Sequence, residues 1–445
     1  MRLGHEPAGE VIKIGDAISD FKIGDRVFTH HHVACYSKDC HECSHGNETM
    51  CKQYYQSNLN PCGLADNYVV PEWNVLHGGV LKLPNNVSYQ EAALIEPLAC
   101  CVRAWAKFKY QKNDSVAILG VGPTGMMHDL LIKMQSCGIC GSDVEKVFGK
   151  YGQPSMRLGH EPAGEVIKIG DAISDFKIGD RVFTHHHVAC YSKDCHECSH
   201  GNETMCKQYY QSNLNPCGLA DNYVVPEWNV LHGGVLKLPD NVSYQEAALI
   251  EPLACCVRAW SKFKYQKNDT VAILGVGPTG MMHVLLAKYF GFSKIFCMDL
   301  NDFRLDFVKK FDVTTIRSDD PNLVQKVTDD TTIGVDVAIV ATSSLHAFQD
   351  AIKLVRKGGT VVMFGVPSKG ATTEIDMSVV YSKEISIVTT YAASDMDTKK
   401  ALELISSGHV DVKSLVTHKY SLDDSQKAFE HAKTGDSAMK IIIEN

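Results

Sequence analysis

Apolar residues in the C-terminal half fall into short runs separated by polar stretches, and their lengths predict alternating strands and helices. VAIL (271–274) is a β-branched-rich run of the kind buried in a parallel sheet. A helical stretch, MMHVLLAKYFG, follows and closes at Gly291, and SKIFCMD (293–299) reads as the next strand. VDVAIVAT (335–342) predicts a strand, SLHAFQDAIKLVRKG (344–358) a helix, and TVVMFG (360–365) and ISIVTTY (385–391) two further strands. Such alternation predicts a doubly wound α/β sheet. Upstream, DLLIKMQSCGICGSD reads as a strand running into Cys140.

A repeat changes this picture. Residues 1–128 recur as 156–283, differing only at Asn85 against Asp240, Ala106 against Ser261 and Ser115 against Thr270. The unit is domain-sized, so it is not a solenoid repeat. Near-identity means a very recent duplication or a joining error in the sequence. The copy stops at Asp129, just inside a strand-turn-helix unit where domain boundaries do not fall, which favours a displaced fragment.

The chain has 445 residues and a formal charge of −8, which argues against general nucleic-acid binding. No apolar run reaches the roughly 20 residues that span a bilayer. The start, MRLGHEPAGE, lacks the pattern of a signal peptide, so a cytoplasmic protein is expected. In that reducing setting the 17 cysteines suggest metal binding before disulfides.

GVGPTG joins the first strand to its helix, placing Gly275, Gly277 and Gly280, with Pro278, in the context of a dinucleotide-binding turn. Asp299 ends the second strand, where an acid accepts hydrogen bonds from ribose hydroxyls and repels a 2′-phosphate; this favours NAD over NADP. Arg304 is the residue that could weaken this preference, although its first reading is a solvated helix residue. Copy one repeats the glycines as Gly120, Gly122 and Gly125 but lacks the second strand and acid, so it should not bind a dinucleotide.

Cys190, Cys195, Cys198 and Cys206 lie within 17 residues, the pattern of a closed structural zinc site; copy one repeats it as Cys35, Cys40, Cys43 and Cys51. A dispersed set, Cys140, His160, Glu161 and Glu251, offers the soft thiolate, imidazole and carboxylate that a catalytic zinc with an open position needs. Histidines 185–187 are read as ordinary residues at a strand end, Cys217 as a packing residue, and Cys255 and Cys256 as apolar core.

These motifs (GICGSD at 138–143, GHEPAGEVIKIG at 159–170, KIGDRV at 177–182, the cysteine lobe, EPLACC at 251–256, GVGPTG and MDLNDFRL at 298–305) resemble the medium-chain zinc-dependent alcohol dehydrogenases, most closely the sorbitol (polyol) dehydrogenase branch. The resemblance covers essentially all of 129–445. It implies a GroES-like, mainly-β catalytic domain (129–251, completed by 395–445) and a Rossmann domain (252–394), preceded by the duplicated partial GroES-like segment 1–128. It implies Cys140, His160 and Glu161 as ligands of a catalytic zinc, with Glu251 beside the ion and able to act through water. Ser142 matches the hydroxyl that passes on the substrate proton, and Asp143 the partner that orients the zinc-bound histidine. The implied activity is hydride transfer between a polyol or secondary alcohol and NAD, giving a ketone, in a homo-oligomer (dimer or tetramer). The alternatives are a threonine-type 3-dehydrogenase and a zinc-binding but inactive fusion.

Three departures matter. The first loop of the cysteine lobe is two residues longer than usual, leaving Cys190 the least secure ligand. Relatives carry further strands before the segment at 129, so a missing sheet edge and exposed backbone are expected. Copy one has no counterpart of Cys140, so His5, Glu6 and Glu96 are ligands without a thiolate, and no independent catalytic site is expected there. Residues 144–155 are expected to line the substrate pocket.

Overall fold

The computed structural model describes residues 4–107, 129–149, 157–170, 173–435 and 437–445. It divides into two compact units, Met1–Met127 and His128–Asn445. Gly120, Gly122 and Gly125 lie outside the described residues.

Among the described residues, unit 1 holds one antiparallel sheet of three short strands, β1 (Ala8–Glu10), β2 (Arg26–Thr29) and β3 (Val80–Lys82), in that order. Its helix Tyr89–Ala92 starts with a capping box: Ser88 accepts from the Glu91 backbone N–H while the Glu91 side chain accepts from that of Ser88. The helix Ile95–Ala106 follows, with Pro97 as its only buried residue.

Unit 2 contains two sheets. The first takes β4 (Leu130–Gly138), β5 (Glu161–Ile169), β6 (Arg181–Thr184), β7 (Asn222–Val225) and β8 (Val235–Lys237). The second takes β9 (Thr270–Leu274), β10 (Lys294–Asp299), β11 (Thr314–Arg317), β12 (Val335–Val340), β13 (Val355–Met363) and β14 (Ser386–Thr389). The chain then returns to the first sheet with β15 (Val416–Ser421) and β16 (Lys440–Glu444).

The second sheet runs β11-β10-β9-β12-β13-β14 with every pair parallel, the strand order of a Rossmann fold. Val271 and Ile273 enter one apolar core and Ala272 and Leu274 another, so β9 is buried on both faces. That double burial is why its sequence is a continuous apolar run. The predicted helix 344–358 is shorter, Leu345–Leu354, and β13 starts at once. Val355 is buried and pairs with Val335, so tertiary pairing takes the segment that helical periodicity had extended over.

The first sheet runs β15-β16-β4-β5-β6-β8, with β7 also on β4. β4 is not a bare edge. β5 pairs along one side; β7 covers Leu130–Lys133 and β16 covers Ser136–Gly138 on the other. β4 is thus the centre of this sheet, and its edges fall elsewhere.

Candidate active site

Three of the predicted residues meet where β4 ends and β5 begins. Cys140 sits at the N-cap of the helix Gly141–Phe148, and His160 and Glu161 lie at the start of β5. One ligand atom from each lies within 4.8 Å of the other two. Inside the first turn of that helix, Asp143 is fully buried, with its carboxylate 3.2 Å from His160 Nδ1. Burial alone would raise the Asp143 carboxyl; the adjoining His160 outweighs it and holds it below the ordinary range. This contact fixes the ring, leaving Nε2 for a ligand.

Glu161 is also fully buried, and one carboxylate oxygen is paired with Lys440. Lys440 Nζ donates as well to the Ile139 carbonyl, at 3.1 Å. Burial alone would lower the Lys440 ammonium, but Glu161 and Cys140 hold it above its ordinary value. The other oxygen, Oε1, is buried with no hydrogen-bond partner. An orphaned carboxylate oxygen beside a cysteine and an oriented imidazole is the donor chemistry that a zinc ion satisfies. Gly138 belongs to this arrangement: a Cβ there would overlap the Glu161 carboxylate and press on Lys440. Sequence reasoning missed Lys440. It comes from β16, 279 residues from Glu161, and its local sequence signals only a strand.

Glu251 lies at the head of the helix Ile250–Ser261, grouped with His185 and His186 within the same 4.8 Å limit. His185 and His186 thus stand beside Glu251, in a group separate from Cys140, His160 and Glu161, while His187 Nδ1 lies 2.9 Å from the Ser212 carbonyl. His185 Nδ1 lies 3.0 Å from Asp395 Oδ1, and the His186 ring is 5.1 Å from that of His160. Burial lowers the His186 imidazole well below its usual value, with His187 and His160 adding to the effect. Cys256 joins the core and Cys255 packs against it, as expected, and Cys255 also turns its Sγ to Glu251 Oε1, at 3.6 Å. Cys217 packs, and its φ of 155° explains why glycine suits that position. Ser142 is exposed in the first turn of its helix, next to Gly141.

A cavity of about 600 Å³ joins this cluster to the glycine-rich turn. Cys140, Glu161 and Lys440 line it at one end; Gly275, Gly277, Pro278, Asp299 and Arg304 line the rest. Gly275 has φ +91°, and a side chain there would press on the Ala341 carbonyl. Gly280 packs so closely on Gly275 that a Cβ would overlap its carbonyl oxygen. Pro278 opens the helix Pro278–Tyr289. Asp299 Oδ2 accepts the Val276 N–H at 2.9 Å and Oδ1 that of Asn301 at 3.0 Å. Arg304 is not a solvated helix residue. It reaches back to Asp299, 3.7 Å away, lies against Gly277, and keeps a buried Nε with no partner. Of the expected pocket segment, residues 144–149 do not line this cavity and 150–155 lie outside the described residues.

Away from the cavity, Cys190, Cys195, Cys198 and Cys206 bring their sulfurs within 4.8 Å of one another, and the longer first loop does not displace Cys190. Cys35, Cys40, Cys43 and Cys51 do the same in unit 1. Both sets fit a tetrahedral ion. Among the described residues no helix is long and apolar enough to cross a membrane.

A mainly-β sheet carrying a Cys-His-Glu cluster, joined through a shared cavity to a Rossmann sheet, defines a zinc-binding alcohol dehydrogenase architecture. Comparison with known proteins agrees. The alcohol dehydrogenase GroES-like domain model matches residues 1–84 and 126–240, and the zinc-binding dehydrogenase model matches 278–407. The chain is similar to the sorbitol dehydrogenase of Bacillus subtilis (36% identical, over 71% of this chain and 90% of that protein). It is also similar to the probable D-xylulose reductase A of Aspergillus clavatus (32%, over 71% and 89%). Among solved structures it resembles the 2R,3R-butanediol dehydrogenase of Bacillus subtilis (TM-score 0.63, 25% identical, covering 75% of this chain and 95% of that one). The chain belongs to the zinc-dependent alcohol dehydrogenase family, in its polyol dehydrogenase branch.

Proposed function

We propose that the protein oxidises a polyol or secondary alcohol to the ketone with NAD as hydride acceptor, using a zinc ion held by Cys140, His160 and Glu161. One observation carries this reading: Cys140 and Glu161 of the Cys-His-Glu cluster line the same cavity as the dinucleotide turn. Polyol oxidoreductases among the relatives support the substrate class.

Bound there, zinc would act as a Lewis acid on the substrate oxygen and NAD would take the hydride. The chain's own residues do the rest. Asp143 holds the His160 ring, and Lys440 holds one Glu161 oxygen so that the other faces the cluster. Glu251, with His185 and His186, supplies polar groups beside it. Ser142, exposed one residue from the cavity-lining Gly141, passes the substrate proton outward. The turn at Gly275–Gly280 admits the pyrophosphate against the helix N-terminus. Asp299 takes the adenosine ribose, which selects NAD, while Arg304 closes over Gly277. The four-cysteine sets hold structural zinc. The exposed Ile387 on the sheet-edge strand β14, with Met377 and Tyr381 exposed before it, supports a homo-oligomer built through the Rossmann sheet.

The test is NADH formation by the zinc-loaded full chain with sorbitol, xylitol, threonine and simple secondary alcohols, against Cys140→Ser. Turnover of polyols that disappears in the variant is expected. Turnover of threonine alone would reassign the substrate, and none with any substrate would sink the reading.

A further inference from the structure

Unit 1 keeps a group of ligand atoms that does not depend on the missing thiolate. His30 and His31 follow β2, Glu96 opens the helix Ile95–Ala106, and one ligand atom from each lies within 4.8 Å of the other two. The Nδ1 of His31 is buried without a hydrogen-bond partner. The His5 ring stands beside it, 5.1 Å between centroids.

The twin in unit 2 repeats this geometry. There the group is His185, His186 and Glu251. With Asp395 on the Nδ1 side of His185, its Nε2 is left buried and unpartnered, as is His186 Nδ1. Imidazole nitrogens left bare beside a carboxylate are costly when nothing bridges them, and a divalent cation satisfies all three at once.

We propose that unit 1 binds a divalent transition-metal ion of the zinc class through His30, His31 and Glu96, in addition to the ion its four cysteines can hold. Two imidazoles and one carboxylate form a nitrogen-and-oxygen site with an open position, chemically unlike the all-sulfur site in the same unit. The His5 ring stands beside the site without joining its ligand group. No residue of copy one corresponds to Asp395, which lies beyond the repeated segment. Loss of such an orienting partner weakens a metal site by about 10–100-fold, so this ion leaves to a chelator before the cysteine-bound ones.

The test is titration of the metal-stripped full chain with Co²⁺, read by visible absorption, with bound metal counted by mass spectrometry. Cysteine sites give thiolate-to-cobalt charge-transfer bands. The proposed site adds one Co²⁺ with ligand-field bands alone, beyond any held by its twin at His185, His186 and Glu251. His31→Ala and Glu96→Gln are each expected to remove that ion only and to leave NADH formation unchanged. If His31→Ala also disturbs the neighbouring lobe, Glu96→Gln decides: loss of one ion supports the site. An unchanged count in Glu96→Gln, or no sulfur-free cobalt in the parent chain, overturns it. Cys140→Ser, counted in parallel, reports separately on the catalytic cluster.

Discussion

In unit 2 the segment EPAGEVIKI is a nine-residue strand with its first four residues buried; in unit 1 the same nine residues yield only the three-residue β1. The helix that follows the capping box buries nine residues in unit 2, Glu251 and Trp260 among them, and only Pro97 in unit 1. Glu161 is fully buried, whereas Glu6 is exposed. Yet the cysteine lobes are superimposable in detail, with matching sulfur separations of 3.7, 3.9 and 3.5 Å. Both capping boxes form as well. Nearly identical sequence thus produces matching caps and cysteine loops but different strand length and burial. What unit 1 lacks is β4, the strand on which β5 zips, and the C-terminal returns: Asp397 on Arg258 of the helix, Asp395 on His185 and Lys440 on Glu161. Turns, caps and ligand loops are set by neighbours in sequence; strand length and charge burial are set by partners far along the chain.

Paired substitutions test this contrast. The largest separation is expected between His160→Ala and His5→Ala. Removing a ligand of the catalytic ion forfeits several kcal/mol of transition-state stabilisation, a loss of about 10³-fold or more in kcat/KM. His5→Ala should leave NADH formation within about twofold, because its site has no thiolate. Comparable rates for the two variants would mean that unit 1 takes part in catalysis.

Next comes Lys440→Met. Removing one partner of a buried ion pair costs about 3–5 kcal/mol. Glu6→Gln, at the exposed twin of Glu161, should change urea denaturation by less than about 0.5 kcal/mol. Leu253→Ala, at a fully buried site, should cost about 2–5 kcal/mol, and Leu98→Ala, its half-buried twin, less than about 1 kcal/mol. Equal costs at the two leucines would show that the two helices are packed alike after all. The smallest difference is expected between Cys195→Ser and Cys40→Ser: each should lower the zinc content by one ion, with no distinction between the units. Retention of that zinc in either variant would remove its lobe from the metal count.

The Rossmann half was largely legible in the sequence, because a strand buried on both faces must be a continuous apolar run and a pyrophosphate turn must carry its glycines. The cysteine lobe was legible because its four ligands are close neighbours. Cys140, His160 and Glu161 could be grouped through family resemblance. Lys440 could not, nor the contact between His185 and Asp395, 210 residues apart. A lysine in a strand looks solvated until the fold puts a buried carboxylate against it. Arg304 misled for the opposite reason: its helix is amphipathic enough to suggest solvent, but the side chain turns inward to Asp299.

The pairing of Lys440 with Glu161 also orders events in time. A nascent chain exposes the cysteine lobe of unit 1 early, and all the groups needed to shape that lobe are present within a few dozen residues. Glu161 must wait for 279 further residues before its counter-charge leaves the ribosome. Until then the catalytic pocket holds a carboxylate with no fixed partner and a central strand, β4, lacking β16. The candidate active site is therefore completed late in synthesis, long after the cysteine lobe of unit 1 has all four of its sulfurs.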